Sequence, residues 1–358
     1  MNADLEKLQE SNKTELERRG SIFNIGAPAT EAVTIRDQIA VGFGDGTVRF
    51  FQSGSDPKTV KAHKGVVLSM TNYEDHVLTG GEDGRFLKIS SDGNIDEIFN
   101  FGSKWVDCVA SHKDTKVCSS GKTVYIWTKN KDKPQTLEHQ STVAGLAFDN
   151  KGKRLAVSRY GGVTVWKLNN NKWTASNFTW KGSHGTVTFS PDTKYIVTAM
   201  QENQIHGWRI NDKADLAMRG YPSKIKSFTW VGDTPYLVTS GSSDAVCWPF
   251  DGKEGPMGRK PIVVANGGKE LATFVKALNG EKAVFTGFTD GSVLLAEIDE
   301  SKKPIMIRSS TGSEVSTIAI SSDNSQILIG DMKGSCLLYT SYAADDGIGV
   351  VVGGGGLV

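Results

Sequence analysis

A β-hairpin recurs eight times along this chain, with its turn at Gly46, Gly84, Lys122, Gly161, Asn203, Ser243, Gly291 and Gly334, in steps of 38 to 48 residues. A near-constant period of about 40 residues in which every unit is all-β predicts a β-propeller of four-stranded antiparallel blades. The clearest turns are Asp-Gly, in GFGDGTVRFF (42–51), GGEDGRFLKI (80–89) and GFTDGSVLLA (287–296). Asp-Gly between apolar runs signals a hairpin because a tight turn needs positive φ, where glycine has no Cβ to clash. Asn203 in QENQIHGW substitutes for glycine, since asparagine tolerates the left-handed region.

Each unit supplies four strands. Inner strands such as VAGLAF (143–148) and IKSFTW (225–230) precede the hairpin, and outer strands such as KTVKAH (58–63) and PIMIRS (304–309) follow it. Within the hairpin, second strands such as HVLTGG (76–81), RLAVSR (154–159) and YLVTSG (236–241) carry small residues near their ends. Third strands alternate, as in VYIW (124–127) and VTVW (163–166). They close on Phe51, Ile89, Trp127, Trp166, Trp208, Trp248, Ala296 and Tyr339. Six of these are aromatic, so Phe51, Trp127, Trp166, Trp208, Trp248 and Tyr339 are expected to pack blade on blade as core. Eight inner sets need eight outer strands, but seven follow a hairpin; SIFNIG (21–26) is expected to complete the last blade and close the ring. Eight blades are therefore predicted, with seven as the alternative. The longest step is assigned to an insertion, DGKEGPMGRKP (251–261), on the face away from the hairpin turns.

The segments EHQSTVAGLAFDNKGKRLAVSRYGGVTVW (138–166) and TVTFSPDTKYIVTAMQENQIHGW (186–208) carry a family resemblance. Over roughly residues 31 to 341 the chain resembles a WD-repeat protein. It is most similar to an alphaproteobacterial WD-repeat group, through WKGSH (180–184), ENQIHGW (202–208) and CWPFDGKEGPMG (247–258). It departs from that pattern where Gln52, Ser90, Thr128, Lys167, Arg209, Pro249, Glu297 and Thr340 replace the naming aspartate. His63 and His139 occupy the family's histidine slot, while Trp180 and Tyr221 fill it in units five and six, so the buried His–Ser/Thr–Asp–Trp tetrad cannot be complete in most units. The resemblance implies a bacterial, non-enzymatic protein-interaction scaffold. The alternative it implies is a metal-homeostasis accessory protein acting with a metallochaperone-type GTPase.

Forty-one basic and 40 acidic side chains leave a net charge of +1, so no broad field draws nucleic acid or an anionic membrane. A chain of 358 residues could hold two domains, but the unbroken repeat argues for one propeller over 21–341. It is flanked by a charged helix or disordered segment (1–20), with a sparse stripe of Leu5, Leu8 and Leu16, and by a Gly-rich tail (342–358). No apolar run approaches the ~20 residues that span a bilayer. Cys108, Cys118, Cys247 and Cys336 form no CxxC pair, which suits reduced, buried thiols. A monomeric cytoplasmic protein without a cofactor is expected. GFGDGT (42–47) opens a strand and lacks a third glycine, so it is no phosphate loop, and the chain has no GxSxG or HExxH pattern.

The candidate site is therefore geometric. Residues that open inner strands and follow second strands should ring the channel mouth on the hairpin-turn face: Lys104, Trp105, Arg159, Tyr160, His184, Gln201, Glu202 and Lys224. This mixture of aromatic, cationic and amide groups is what binding hot spots favour. Trp105 and His184 are placed in one slot with Val67, Val143 and Ile225. His184, His206 and Cys247 are the weak metal candidates, since histidine and cysteine are soft ligands. The first and third strands of a sheet lie about 9.6 Å apart, which works against their convergence.

Overall fold

The computed structural model describes residues 13–340 apart from 130, 171, 233, 234 and 300. The hairpin units follow one another around a closed β-propeller. Inner strands Ala29–Ile35, Val67–Tyr73, Cys108–His112 and Val143–Phe148 lie successively side by side, and Val315–Ile320 returns to pack on Ala29–Ile35.

Unit two shows why the sequence folds this way. Val67–Tyr73, His76–Gly81, Arg85–Ser90 and Ile95–Asn100 pair in chain order, all antiparallel. The second strand is buried at five of six positions because neighbouring sheets cover both of its faces, which is why such strands read as apolar runs rather than alternations. The outer strand is exposed at five of six. At the turn, Gly84 has φ +76°, and a Cβ there would lie 2.2 Å from the Gly102 carbonyl oxygen. The aspartates before the turn glycines accept the backbone N–H two residues on, from Thr47 to Asp45 at 3.0 Å and from Ser292 to Asp290 at 2.9 Å.

Ring closure uses the predicted segment. Ser21–Asn24 pairs antiparallel with the third strand of unit eight, Ser21 opposite Leu338 and Asn24 opposite Ser335. Just before it, the helix Glu15–Arg19 starts on Thr14 with a capping box. Its Glu17 is buried and accepts the Ser309 N–H at 3.1 Å, while Leu16 packs on the seam of units seven and eight. Leu5 and Leu8 lie outside the described residues, as does the Gly-rich tail. The insertion 251–261 separates the third strand of unit six from its outer strand, as expected.

The blade count differs from the main expectation. Among the described residues there are not eight separate four-stranded sheets but seven, the alternative number, six of them four-stranded and one six-stranded. The cause lies in units four and five, where Arg154–Asn169 and Lys172–Phe189 run on through positions at which other units break. The first passes its turn through a register shift between Tyr160 and Gly162. The second pairs backward through Lys172–Ser183 and forward through His184–Phe189, so the two units share one sheet. Seven of the predicted hairpins join separate strands, while the one at Gly161 lies inside Arg154–Asn169, where the Leu168 N–H bonds the Lys153 carbonyl at 2.9 Å across it.

The core is a series of seams between sheets. Ile39, Val41, Phe43 and Phe51 of unit one meet Leu328 and Leu338 of unit eight, for example. Phe51, Trp127, Trp208 and Tyr339 are buried as expected. Trp166 and Trp248 are half-buried, each with its indole N–H bonded: Trp166 to His139 at 3.0 Å and Trp248 to the Tyr221 hydroxyl at 2.6 Å.

Candidate functional site

The hairpin-turn face is built by loops that fold back on the turns. After the outer strand of unit two, the Phe101 N–H bonds the Gly84 carbonyl at 2.8 Å and the Val106 N–H bonds the Gly81 carbonyl at 3.1 Å. This fixes the loop and points Trp105 outward, 53% exposed, while Val106 beside it is fully buried. Val106, not Trp105, thus takes the buried position that Val67, Val143 and Ile225 hold in other units. The physical reason is one residue of register: Cys108 begins the inner strand here, and the residues before it follow the loop.

Tyr160, at the end of the second strand of unit four, is 58% exposed. Its carbonyl accepts from the Arg159 guanidinium at 3.0 Å and the Ser141 hydroxyl at 3.3 Å. Arg159 itself is buried and reaches the Thr164 hydroxyl at 3.4 Å, so it anchors the backbone under Tyr160 instead of facing solvent. Lys104, Gln201, Glu202 and Lys224 are exposed. Glu202 accepts the Ser183 N–H at 3.1 Å and ties unit five's second strand to the entry of its inner strand.

His184 departs from the predicted face: it is fully buried. Its Nδ1 lies 2.8 Å from the Thr198 hydroxyl, and its Nε2 donates to the Trp180 carbonyl at 3.1 Å. Burial lowers its pKa from the usual histidine value, against the Trp180 carbonyl and Glu202. His206 is buried too, stacked on Trp180 with ring centroids 4.2 Å apart. Burial, and then His184, push its pKa down to about 4, so it is neutral at physiological pH. The two imidazoles lie 6.0 Å apart, centroid to centroid. Cys247 sits elsewhere, in the seam of units six and seven with Val238, Val275 and Val284, and burial raises its thiol to about 12. The three weak metal candidates are therefore not brought together. Among the described residues no group of three or more His, Cys, Asp or Glu side chains is placed to hold a metal ion.

Two charged residues are invisible to the repeat pattern as functional candidates. Glu31 and Lys276 lie on inner strands, where an alternation of charge and apolar residue reads as an ordinary half-solvated strand. The one available signal is internal: the same positions in the sister units carry neutral residues.

No family model matches the chain. Among solved structures it is similar to the crystal structure of the computationally designed Ika8 protein, at 17% identity and a TM-score of 0.71. The alignment covers 89% of this chain and 98% of that one. At this identity the likeness bears on the fold alone. No described helix is long and apolar enough to cross a membrane.

Proposed function

We propose that the protein is a non-enzymatic interaction scaffold of the WD-repeat type, presenting its hairpin-turn face to a protein or peptide partner. The observation that carries this reading is the exposure of Trp105 and Tyr160, at 53% and 58% the two most exposed large apolar side chains among the described residues. Aromatic side chains leave water favourably and dominate interface energetics, so two held outward on pinned backbone are candidate anchors. Both are preorganised: hydrogen bonds fix the chain on either side of Trp105, and Arg159 fixes the backbone of Tyr160. Preorganised groups lose little entropy on binding. Lys104 and Lys224 add exposed cations, and Gln201 an amide, for rim contacts.

The test is affinity capture from the native cytosol with the wild-type protein and the Trp105→Ala/Tyr160→Ala double variant, with mass spectrometry and metal analysis of the same eluate. A stoichiometric partner retained by the wild type should be lost by about tenfold or more in the variant, the effect of removing two hot-spot rings. Unchanged capture by a variant whose thermal unfolding is intact rejects this face. Stoichiometric metal or a co-eluting GTPase would favour the metal-homeostasis role instead.

A further inference from the structure

The inner strands repeat one local device, and two residues break its rule. In units one, two, four, seven and eight the strand opens with a bulge, and the residue after it is Glu31, Ser69, Gly145, Phe274 or Thr317. Two residues further on, the same strands carry Val33, Thr71, Ala147, Lys276 and Ala319. Glu31 and Lys276 are the only ionisable residues in these two sets. A polar side chain at the first position ties neighbouring blades together. The Ser69 hydroxyl accepts the Val109 N–H of the next inner strand at 3.1 Å. Glu31 does the same for the Met70 N–H at 2.6 Å. A serine suffices for that tie, so the tie does not explain a carboxylate.

Lys276 is half-buried and its backbone is paired with Phe285, yet its ammonium makes no hydrogen bond or ion pair with any described residue. A desolvated ammonium without a partner is costly, and such groups are normally paired. Glu31 acts on its charge, opposing the effect of burial, but the two form no ion pair. Unit eight separates units seven and one, and unit two separates units one and three. Glu31 and Lys276 nonetheless act on each other's charge, and Glu31 on the Cys108 thiol, although their strands are not neighbours in the ring.

A cavity of about 450 Å³ opens beside Lys276 on the face away from the hairpin turns. Asn72, Asn279 and Ser322 line it with Lys276, as do Arg36, which is paired with Asp75, and Glu74. Toward the opposite mouth, Lys226 of unit six pairs with Glu314 of unit eight and bridges over unit seven. The cavity thus gives access to the lysine, and the Asn72 amide and Ser322 hydroxyl share its lining, while the Asn279 amide already donates to the Ser321 carbonyl at 2.8 Å.

We propose that this cavity binds a small oxyanion, a carboxylate or a phosphate group, at the Lys276 ammonium, and that Glu31 takes up a proton when the anion replaces it as the lysine's counter-charge. The chemistry of Glu31 is suited to this. Burial pushes its pKa up to about 7, against the Met70 hydrogen bond and Lys276, so a nearby anion need shift it little further to hold the proton. The same burial lowers the Lys276 pKa, with Glu31 opposing. The charged groups acting on this exchange are Lys276, Glu31, Arg36 with Asp75, and Glu74; Cys108, raised to about 12 by burial, stays neutral.

The experiment is isothermal titration of the full chain at pH 7 with sodium acetate, standing for a carboxylate, and separately with sodium sulfate, standing for a phosphate ester. Ionic strength is held with sodium chloride, and two buffers of different ionisation enthalpy report proton uptake. One-to-one binding of at least one anion is expected, weakened about tenfold or more in Lys276→Met, the scale of a lost charge-assisted hydrogen bond. Proton uptake should be present in the wild type and absent in Glu31→Gln, which still binds. No saturable binding of either anion, equal binding by Lys276→Met, or proton uptake surviving in Glu31→Gln overturns the proposal. Should the lysine variant fail to fold, the Met70 amide resonance of the wild type decides. It should move saturably as its acceptor gains a proton, and a resonance unmoved by both anions rejects the site.

Discussion

Units two and five bury histidine in opposite ways. In unit two, His63 uses both ring nitrogens: Nδ1 meets the Asp83 carboxylate at 2.8 Å and Nε2 the Thr79 hydroxyl at 2.8 Å. The other Asp83 oxygen accepts the Lys64 N–H at 3.0 Å, so the turn, the loop and the second strand are bound into one network. In unit five, His184 is bonded, but neither nitrogen of the fully buried His206 has a partner. His206 is held by rings, flat on Trp180 and edge-on to Trp208 at 4.7 Å. Unit two closes its third strand on Ile89 and relies on hydrogen bonds; unit five closes on Trp208 and relies on aromatic packing. A repeat position thus fixes where a side chain lies, while its partners decide which force holds it there.

The largest expected effect tests the hydrogen-bonded side. Burial works to raise the Asp83 carboxyl, but His63 and the N–H groups of Lys64 and Arg85 outweigh it and hold the pKa below its ordinary value. Asp83→Ala leaves a buried imidazole nitrogen and the Lys64 amide without their acceptor. The expected cost is about 3 kcal/mol, that of breaking one side of a buried, charge-assisted network. Urea denaturation with an unchanged m-value would measure it. A loss below about 1 kcal/mol would show that His63, like His206, is held mainly by packing.

That contrast also explains what is legible in the sequence. The period, the Asp-Gly turns, the closing strand 21–24 and the insertion after Pro249 can be read there because each depends on local backbone chemistry. The sheet count cannot. It turns on register shifts at Tyr160/Gly162 and His184/Val187, and a bulge changes register without changing composition. The exchange of Trp105 for Val106 has the same origin, since one residue of slip at a strand start moves a side chain from seam to solvent. His184 illustrates the converse. Position in the repeat puts it at the channel mouth, but the Trp180 carbonyl and Thr198 hydroxyl that bury it come from strands whose pairing the pattern does not specify. Glu31 and Lys276 stay hidden because a charge within a strand looks solvated until the ring closes around it.

The next effect in size is acid sensitivity, and it should come mainly from unit five. His206 titrates at about 4 in the folded protein against an ordinary 6.5, so the unfolded chain binds more protons between those values. The stability this neutral residue supports is fully present above pH 6.5 and is lost as pH falls toward 4. One proton's difference gives a slope of at most about 1.4 kcal/mol per pH unit. His63 is lowered by burial as well, but Asp83 opposes the shift, so its share is smaller. Denaturation curves collected from pH 8 to pH 4 should therefore flatten in His206→Phe. An acid limb unchanged by that substitution would move the proton-sensitive site to another buried histidine.

The smallest effect is the sharpest test, because it compares the two units at a pH where neither histidine titrates. At pH 8, His206→Phe removes two buried nitrogens that lack partners and keeps a ring against Trp180 and Trp208. Relief of unsatisfied polar atoms favours the variant, while the slightly larger ring strains a close-packed seam. The balance expected is a gain of up to about 1 kcal/mol, read as a rise in the urea midpoint. The equivalent His63→Phe should lose stability, since it strands Thr79 and Asp83. If both substitutions destabilise alike, His206 has a hydrogen-bond partner supplied by solvent, and the aromatic stack of unit five is a second polar network in the same position.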